Sequence, residues 1–359
     1  MEYVLFLTYK CNIDCSYCFA KMLIHNSDKN ILSLDDERID SLCDFIENDI
    51  KVKNHKDNGI VFYGGEPTLV PDTIQKIMDR TKPLDVTYTL YTNGILLDTL
   101  PHEILSRLDT VLIAIDGEKE IHETYKPLGS YDKILENVKM LKKYNCQTIG
   151  RITVEEKVNI FESVNNIVDY FDFIHWGLVN KEDFDDLNGF VERYRENITS
   201  LYNHWLDNLR NGKIINLIPF NRMILSMLTG EVQKSFACGC GHNITTVDLE
   251  GNIYLCDEFI KCAPYSNINE KTNTNIAYVD HKEIFEDCIN CDVTDICLGR
   301  CRMTLTLYSD SLLRNYCEMT KILISLMQCS LEEIKNIISN KNISLKEFNR
   351  ELYTTEIIP

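Results

Sequence analysis

The stretch Cys11-Asn-Ile-Asp-Cys15-Ser-Tyr-Cys18 decides the fold, because it places three thiols on one short segment directly after an apolar run, Tyr3–Thr8. Three thiolates on one loop can hold an iron–sulfur cubane and leave one of its irons without a protein ligand. A zinc knuckle or a ferredoxin-type cluster would use the same residue type. The triplet alone does not distinguish these three kinds of site.

Short β-branched or aromatic runs alternate with amphipathic helical stretches from residue 1 to about 180, a pattern typical of βα units around a parallel sheet. The predicted strands are Tyr3–Thr8, Gly59–Tyr63, Val86–Tyr91, Val111–Ile115, Thr148–Val154 and Phe173–Leu178. The triplet therefore follows the first strand, at the end where such folds place their active sites. Gly64-Gly65-Glu66-Pro67 follows the second strand. Its glycines permit close backbone approach, and Glu66 offers a carboxylate to an ammonium group.

This combination resembles the radical S-adenosylmethionine (SAM) superfamily, in which a cysteine triplet follows strand 1 and a GGEP-type motif follows strand 2. The resemblance implies a partial (β/α)6 barrel, SAM as cofactor and a low-potential electron donor of flavodoxin or ferredoxin type. It implies that Gly64, Gly65, Glu66 and Pro67 contact SAM, as does Asn93 of Thr92-Asn93-Gly94 after strand 3. We assign Asp116 to the SAM ribose and Arg151 to its carboxylate. The alternatives are a simple turn at Asp116-Gly117 and a surface ion pair at Arg151.

A second set of cysteines lies between residues 238 and 317, among turn-forming residues with little aliphatic content. The set comprises Cys238, Cys240, Cys256, Cys288, Cys291, Cys297, Cys301 and Cys317. Their spacing resembles the SPASM domain, which binds two auxiliary [4Fe–4S] clusters. The resemblance implies a distal cluster on Cys288, Cys291, Cys297 and Cys317, and a proximal cluster on Cys240, Cys256 and Cys301. Cys238 is the predicted fourth proximal ligand and Cys262 its competitor, and with neither the proximal cluster would have an open iron. A structural zinc site is the alternative for this domain.

The fifteen cysteines fit metal binding better than disulfides, because no signal peptide precedes them and the cytosol keeps thiols reduced. We therefore expect a cytoplasmic protein with three [4Fe–4S] clusters. The other three cysteines, Cys43, Cys146 and Cys329, are predicted to be small buried apolar side chains. The formal charge of -18 gives no footprint for nucleic acid or an anionic membrane, so neither partner is expected.

Four regions are predicted: the barrel at 1–180, a helical bridging segment at 181–235, the SPASM domain at 236–320 and a helical tail at 321–359. Ser33 is predicted to cap the first helix. Tyr194, Leu201, Trp205 and Leu209 form a predicted buried stripe in the bridging segment. In the tail, Ser330 with Glu333 and Ser344 with Glu347 are capping-box patterns, which predict two short helices.

Auxiliary clusters can accept an electron from a substrate radical, which favours a net oxidation. SPASM-bearing relatives mostly modify peptides or proteins, so we predict an oxidative peptide maturase that forms a thioether or carbon–carbon cross-link. Formylglycine formation, as in the anaerobic sulfatase maturases, and dehydrogenation of a small molecule are the alternatives. Several stretches resemble the sulfatase maturases, which implies that Asp257, after Cys256, is a general base; a helix-cap or turn role is the alternative. Ala20 departs from the tyrosine common at that position in those enzymes.

Overall fold

The strands of a parallel sheet organise the chain, and the computed structural model describes residues 1–18, 33–54, 57–230, 236–270 and 281–348. The six predicted barrel strands are confirmed, with ends that shift by at most two residues. The strands are β1 (Glu2–Phe6), β2 (Asn58–Tyr63), β3 (Val86–Thr92), β4 (Thr110–Ala114), β5 (Gln147–Val154), β6 (Phe173–Leu178), β7 (Ile244–Val247), β8 (Asn252–Tyr254) and β9 (Ser266–Asn267). Position 20 and the tail beyond residue 348 lie outside the described residues.

Helices follow the strands as the alternating pattern predicts. They are α1 (Asp36–Lys53), α2 (Pro71–Thr81), α3 (His102–Leu105), α4 (Lys119–Tyr125), α5 (Ser130–Leu141), α6 (Ile160–Ile167), α7 (Leu187–Arg210), α8 (Ile218–Thr229), α9 (His281–Ile284), α10 (Thr294–Cys297), α11 (Arg302–Leu307) and α12 (Asp310–Lys341). Among the described residues, none of these helices has both the length and the apolar composition needed to cross a bilayer.

The chain divides into two compact units that interleave along the sequence. The first contains the described residues of Met1–Ile115, His122–Ile149 and Cys240–Tyr278, and the second those of Asp116–Ile121, Gly150–Gly239 and Val279–Pro359. The predicted cysteine-rich region, 236–320, is therefore shared between the two units.

In the first unit, β1 pairs in parallel with β2, β2 with β3, and β3 with β4. The other edge of β1 pairs in parallel with β7, and β8 and β9 continue this edge antiparallel. The strands consist of almost continuous β-branched and aromatic residues because both faces of a parallel sheet are buried. Phe6, Phe62 and Leu90, for example, are fully buried.

Helix α1 begins at a different residue from the one that the sequence suggests. Asp35 is its N-cap and accepts a hydrogen bond from the backbone N–H of Arg38 at 2.9 Å, whereas the predicted cap, Ser33, forms an isolated bridge with Thr8. The prediction of Ser33 was wrong because Asp35, two residues closer to the apolar stripe, satisfies an orphan N–H group of the first turn.

The second unit contains the long helices α7 and α12, which pack against each other. The predicted stripe of α7 is confirmed, since Tyr194, Leu201, Trp205 and Leu209 are all buried. Arg195 of α7 pairs with Glu318 of α12 at 2.6 Å. The prediction of a break at Ser330 was wrong: α12 is continuous through it, and only Ser344 with Glu347 forms a capping box, on a short 3-10 turn.

Candidate functional site

The three cysteines of the N-terminal triplet lie on the loop after β1 and are all half-buried. The backbone N–H of Cys18 donates to the carbonyl oxygen of Cys15 at 3.2 Å, which folds the loop back on itself. Burial raises the pKa of Cys11, and the nearby charges of Glu66 and Cys18 raise it further. Three partly accessible thiols on one folded loop fit a cluster that must present an open iron to a ligand.

The two glycines after β2 lie directly against the backbone that leads into the triplet. Gly64 has φ of 131°, and a β-carbon there would lie 2.5 Å from the carbonyl oxygen of Thr8. A β-carbon on Gly65 would lie 2.2 Å from the carbonyl oxygen of Lys10. The backbone N–H groups of Gly65 and Glu66 donate to the same two carbonyls, each at 2.8 Å. The glycines are therefore required for the contact that fixes the triplet loop.

Glu66 is completely buried between the ends of β2 and β3. Its Oε1 accepts hydrogen bonds from the backbone N–H and hydroxyl of Thr68 and from the hydroxyl of Thr92, and its Oε2 accepts one from the N–H of Asn93. Burial raises the pKa of Glu66, and these donors oppose the rise. Within the described residues Oε2 accepts a single hydrogen bond, so it keeps the capacity for another donor. Pro67 follows as the first residue of a 3-10 turn.

Asn93 joins the end of β3 to the triplet loop. Its side-chain Nδ2 donates to Oδ1 of Asn12 at 2.7 Å, while its own Oδ1 accepts from the N–H of Ile95. Sequence reasoning missed the partners Asn12, Thr68 and Thr92. Each stands inside or beside a motif that was identified, but a motif does not show which of its polar side chains will meet.

Asp116 and Arg151 lie in the second compact unit. Asp116 follows β4 in the sequence and is fully buried. Its Oδ1 accepts a hydrogen bond from the backbone N–H of Thr153 at 3.0 Å, which ties Asp116 to β5. Gly117 has φ of 80° and packs against Ser163. Arg151 is half-buried on β5. Their assignments to SAM remain predictions.

The four predicted distal ligands surround one cavity of about 370 Å³ in the second unit: Cys288, Cys291, Cys297 and Cys317 all line it. Burial raises the pKa of Cys297 to about 12, and the charges of Cys317, Cys288 and Cys291 act in the same direction. Four thiols around one cavity fit a [4Fe–4S] cluster, whose ligands stand apart because four irons lie between them. Cys288 is buried and the other three cysteines are half-buried.

The predicted proximal ligands are divided between the units. Cys240, Cys256 and Cys262 belong to the first unit and Cys238 and Cys301 to the second. Cys240 Sγ lies 3.7 Å from the carbonyl oxygen of Leu255, the residue before Cys256, so two of the predicted ligands are neighbours.

Cys256 and Cys262 occupy the two ends of one 3-10 helix, Asp257–Lys261. Asp257 is the first residue of this helix rather than its cap, because Cys256 occupies the cap position. Within the parts of the chain that the structure describes, no three His, Cys, Asp or Glu side chains converge as ligands of a single metal ion.

The remaining cysteines behave differently from one another. Cys43 is buried on α1, as predicted, and burial raises its pKa to about 12. Cys146 is only half-buried, and Cys329 is exposed on α12. The prediction for Cys329 was wrong because Met327, two residues earlier, is buried on a different face of the helix. Leu326, three residues before Cys329 and on the same face, is itself only half-buried.

Residues 5–171 match the Radical SAM superfamily, which binds a [4Fe–4S] cluster and SAM. The chain thus carries a radical SAM domain, and the prediction of a radical SAM enzyme is confirmed.

Two curated relatives extend the similarity beyond this domain. The chain is 26% identical over 352 residues to a cysteine-type anaerobic sulfatase-maturating enzyme of Clostridium perfringens (strain ATCC 13124), covering 87% of this chain and 91% of the relative. It is 26% identical over 375 residues to the radical SAM cyclopropyl synthase TigE of Paramaledivibacter caminithermalis, covering 91% of this chain and 73% of the relative.

A solved structure, native anSMEcpe with bound AdoMet and Cp18Cys peptide, superimposes with a TM-score of 0.75 at 21% identity. The match covers 94% of this chain and 99% of that one. This likeness confirms the mixed α/β fold with a parallel sheet and a helical C-terminal region.

Proposed function

We propose that this chain is an oxidative peptide or protein maturase with three [4Fe–4S] clusters, which joins two side chains of its substrate by a thioether or carbon–carbon bond. The observation that carries the proposal is the cavity of the second unit, which four cysteines far apart in sequence line together. An enzyme that only started a redox-neutral rearrangement would not need such a second metal site. A site that accepts electrons suits a net oxidation.

The cysteines divide among three sites in this proposal. Cys11, Cys15 and Cys18 would hold the first cluster, which would bind SAM. Cys288, Cys291, Cys297 and Cys317 hold the distal cluster. Cys240, Cys256 and Cys301 hold the proximal cluster, with Cys238 or Cys262 as the fourth ligand. When bound, SAM and the clusters supply a hydrogen-abstracting 5′-deoxyadenosyl radical and acceptors for one electron.

The protein's own side chains bind SAM and move a proton. Glu66 receives the SAM ammonium at Oε2, the oxygen that accepts a single hydrogen bond within the described residues. Gly64, Gly65, Pro67 and Asn93 shape the same pocket, Asp116 contacts the ribose and Arg151 the carboxylate. Asp257 accepts the proton released when the new bond forms, because it is a half-buried carboxylate one residue after the cluster ligand Cys256.

Formylglycine synthesis is the second function, favoured by similarity to a sulfatase-maturating enzyme over 91% of that relative's length. TigE, named as a cyclopropyl synthase, matches at the same identity and favours carbon–carbon bond formation. Both functions require a peptide or protein substrate, a low-potential donor of flavodoxin or ferredoxin type and the reducing cytoplasm.

The test is mass spectrometry of peptides incubated with reconstituted enzyme, SAM and dithionite. A Cys-containing peptide encoded beside the gene and a Cys-bearing sulfatase peptide would be compared. A cross-link removes two hydrogen atoms and retains the sulfur, whereas oxidation of Cys to formylglycine exchanges the sulfur for oxygen. We expect the first change, in a product that thiol reagents no longer label if the bond is a thioether.

The variant Asp257→Asn should lose product while 5′-deoxyadenosine still forms, because the proton acceptor acts after hydrogen abstraction. Glu258→Gln, one residue along the same 3-10 helix, is the matched control and should retain product. Loss of sulfur from either peptide would establish formylglycine chemistry instead. Formation of 5′-deoxyadenosine without change in any peptide, but with oxidation of a small molecule, would exclude a maturase.

A further inference from the structure

The turn between Cys297 and Cys301 has a backbone conformation that its residues do not favour. Leu298, Gly299 and Arg300 all have positive φ, at 51°, 73° and 52°. In the described part of the chain, the non-glycine residues with positive φ other than Leu298 and Arg300 are Asn54 and Asn342. Both are helix C-caps. Asparagine tolerates this region, whereas an arginine there is strained.

The Arg300 guanidinium lies inside the protein. The residue is 8% exposed, its guanidinium carbon lies 4.7 Å from the centre of the Tyr316 ring, and its Nη1 is 3.5 Å from the hydroxyl oxygen of Thr304. Arginine is seldom buried to this extent unless an anion lies nearby.

The distal cysteines share this interior with Arg300. Arg300 and the thiols of all four distal cysteines line the same cavity. The two carboxylates that line the cavity have other partners. Asp287 pairs with Arg314 at 2.8 Å and Glu318 with Arg195 at 2.6 Å.

We propose that Arg300 raises the reduction potential of the cluster bound by Cys288, Cys291, Cys297 and Cys317, making that cluster a stronger electron acceptor. Reduction adds one electron, and therefore one negative charge, to a site that already carries four thiolates. The buried guanidinium stabilises that added charge in a low-dielectric interior. This inference rests on the proposed function, because it requires the distal cluster.

The experiment is a potentiometric titration followed by electron paramagnetic resonance. The background is the full chain with Cys11, Cys15 and Cys18 changed to Ala, which leaves only the auxiliary clusters. The distal signal is the one that disappears when Cys291→Ala is added. In Arg300→Gln, the ratio of reduced to oxidised distal cluster at a fixed potential should fall about tenfold, which is 59 mV for a one-electron couple.

Three further variants separate charge from structure. Arg300→Gly removes the charge but relaxes the positive φ, and should reproduce the shift. Arg300→Lys keeps the charge and should stay within about threefold of the parent ratio. Lys321→Gln removes an exposed cation that lines the same cavity and should also stay within about threefold, since water screens it.

An unchanged distal potential in both neutral variants, with their iron retained, would overturn the inference. So would a shift confined to the proximal signal, or an equal shift in Lys321→Gln. Loss of the distal irons in both neutral variants but not in Arg300→Lys would also overturn it, because Arg300 would then hold the cluster rather than tune it. Absence of auxiliary irons from the parent would refute the proposed function itself.

Discussion

At Gly65 the chain has no room for a side chain, and this follows from backbone geometry alone. The φ of Gly65 is not positive, so the cost of placing a side chain there is steric. A β-carbon would lie 2.2 Å from the Lys10 carbonyl oxygen, an atom that accepts a hydrogen bond from the backbone N–H of Glu66. Gly129 presents the opposite case. Its φ is 81°, and no atom lies within 4 Å of the position that a β-carbon would take.

We expect Gly65→Ala to lower the free energy of unfolding by about 3 kcal/mol, because the loop after β2 must move away from the triplet loop. Gly129→Ala is the matched control and should cost about 1 kcal/mol, the conformational cost of an alanine with positive φ. Denaturant unfolding measures both values. Equal losses in the two variants would show that the close approach at Gly65 does not exist.

Gly65→Ala should also fail to bind SAM while its auxiliary irons remain, since the displaced loop carries Cys11, Cys15 and Cys18. Equilibrium dialysis with labelled SAM and iron analysis separate the two effects. SAM binding equal to that of the unchanged protein would contradict this role of the glycine.

Elements were easier to predict than the contacts between them. Buried parallel strands appear in the sequence as continuous apolar runs. The ends of these runs locate the candidate site, because the carboxyl ends of parallel strands lie along one edge of the sheet. The helix caps were less predictable. Ser330 has the spacing of a cap with Glu333, but in α12 its hydroxyl donates to the Leu326 carbonyl oxygen, four residues earlier. A serine that bonds its own helix in this way does not end it.

Proline substitutions test whether a helical segment begins after Ser330 or only after Ser344. Leu331→Pro would be tolerated at the first position of a new helix, but in continuous α12 it should cost about 3 kcal/mol, because it removes a backbone hydrogen bond and clashes with the preceding turn. Leu345→Pro follows the real cap, Ser344, whose ψ of 135° suits a residue before proline, and should cost under about 0.5 kcal/mol. Thermal unfolding of both variants tests this. Equal stability would mean that α12 ends at Ser330.

The arrangement of the whole molecule was the part that sequence could least provide. The spacing of the cysteines identified both candidate metal-binding regions, but not that β7, with Ile244 at its start, pairs with Glu2 of β1. Residues 2 and 244 are far apart in the sequence, so their pairing depends on which edge of the sheet the folded chain leaves open. The burial of Arg300 could not be predicted either, because the cysteines near it in the sequence do not show that its guanidinium lies inside the protein.

Iron content tests the division of the cysteines across the whole molecule. Reconstituted protein should contain about twelve irons per chain, falling to about eight when Cys11, Cys15 and Cys18 become Ala, with loss of 5′-deoxyadenosine formation from SAM. Changing Cys288, Cys291 and Cys317 to Ala should also leave about eight irons, yet SAM cleavage should persist because the open cluster is intact.

Cys329→Ala is the control for these counts, because its thiol is exposed on α12 and outside every proposed ligand set. It should retain about twelve irons. About four irons accompanied by zinc would refute the auxiliary clusters and make the four-cysteine cavity a structural zinc site. Because zinc has no redox chemistry, that result would also remove the acceptor on which the net oxidation depends.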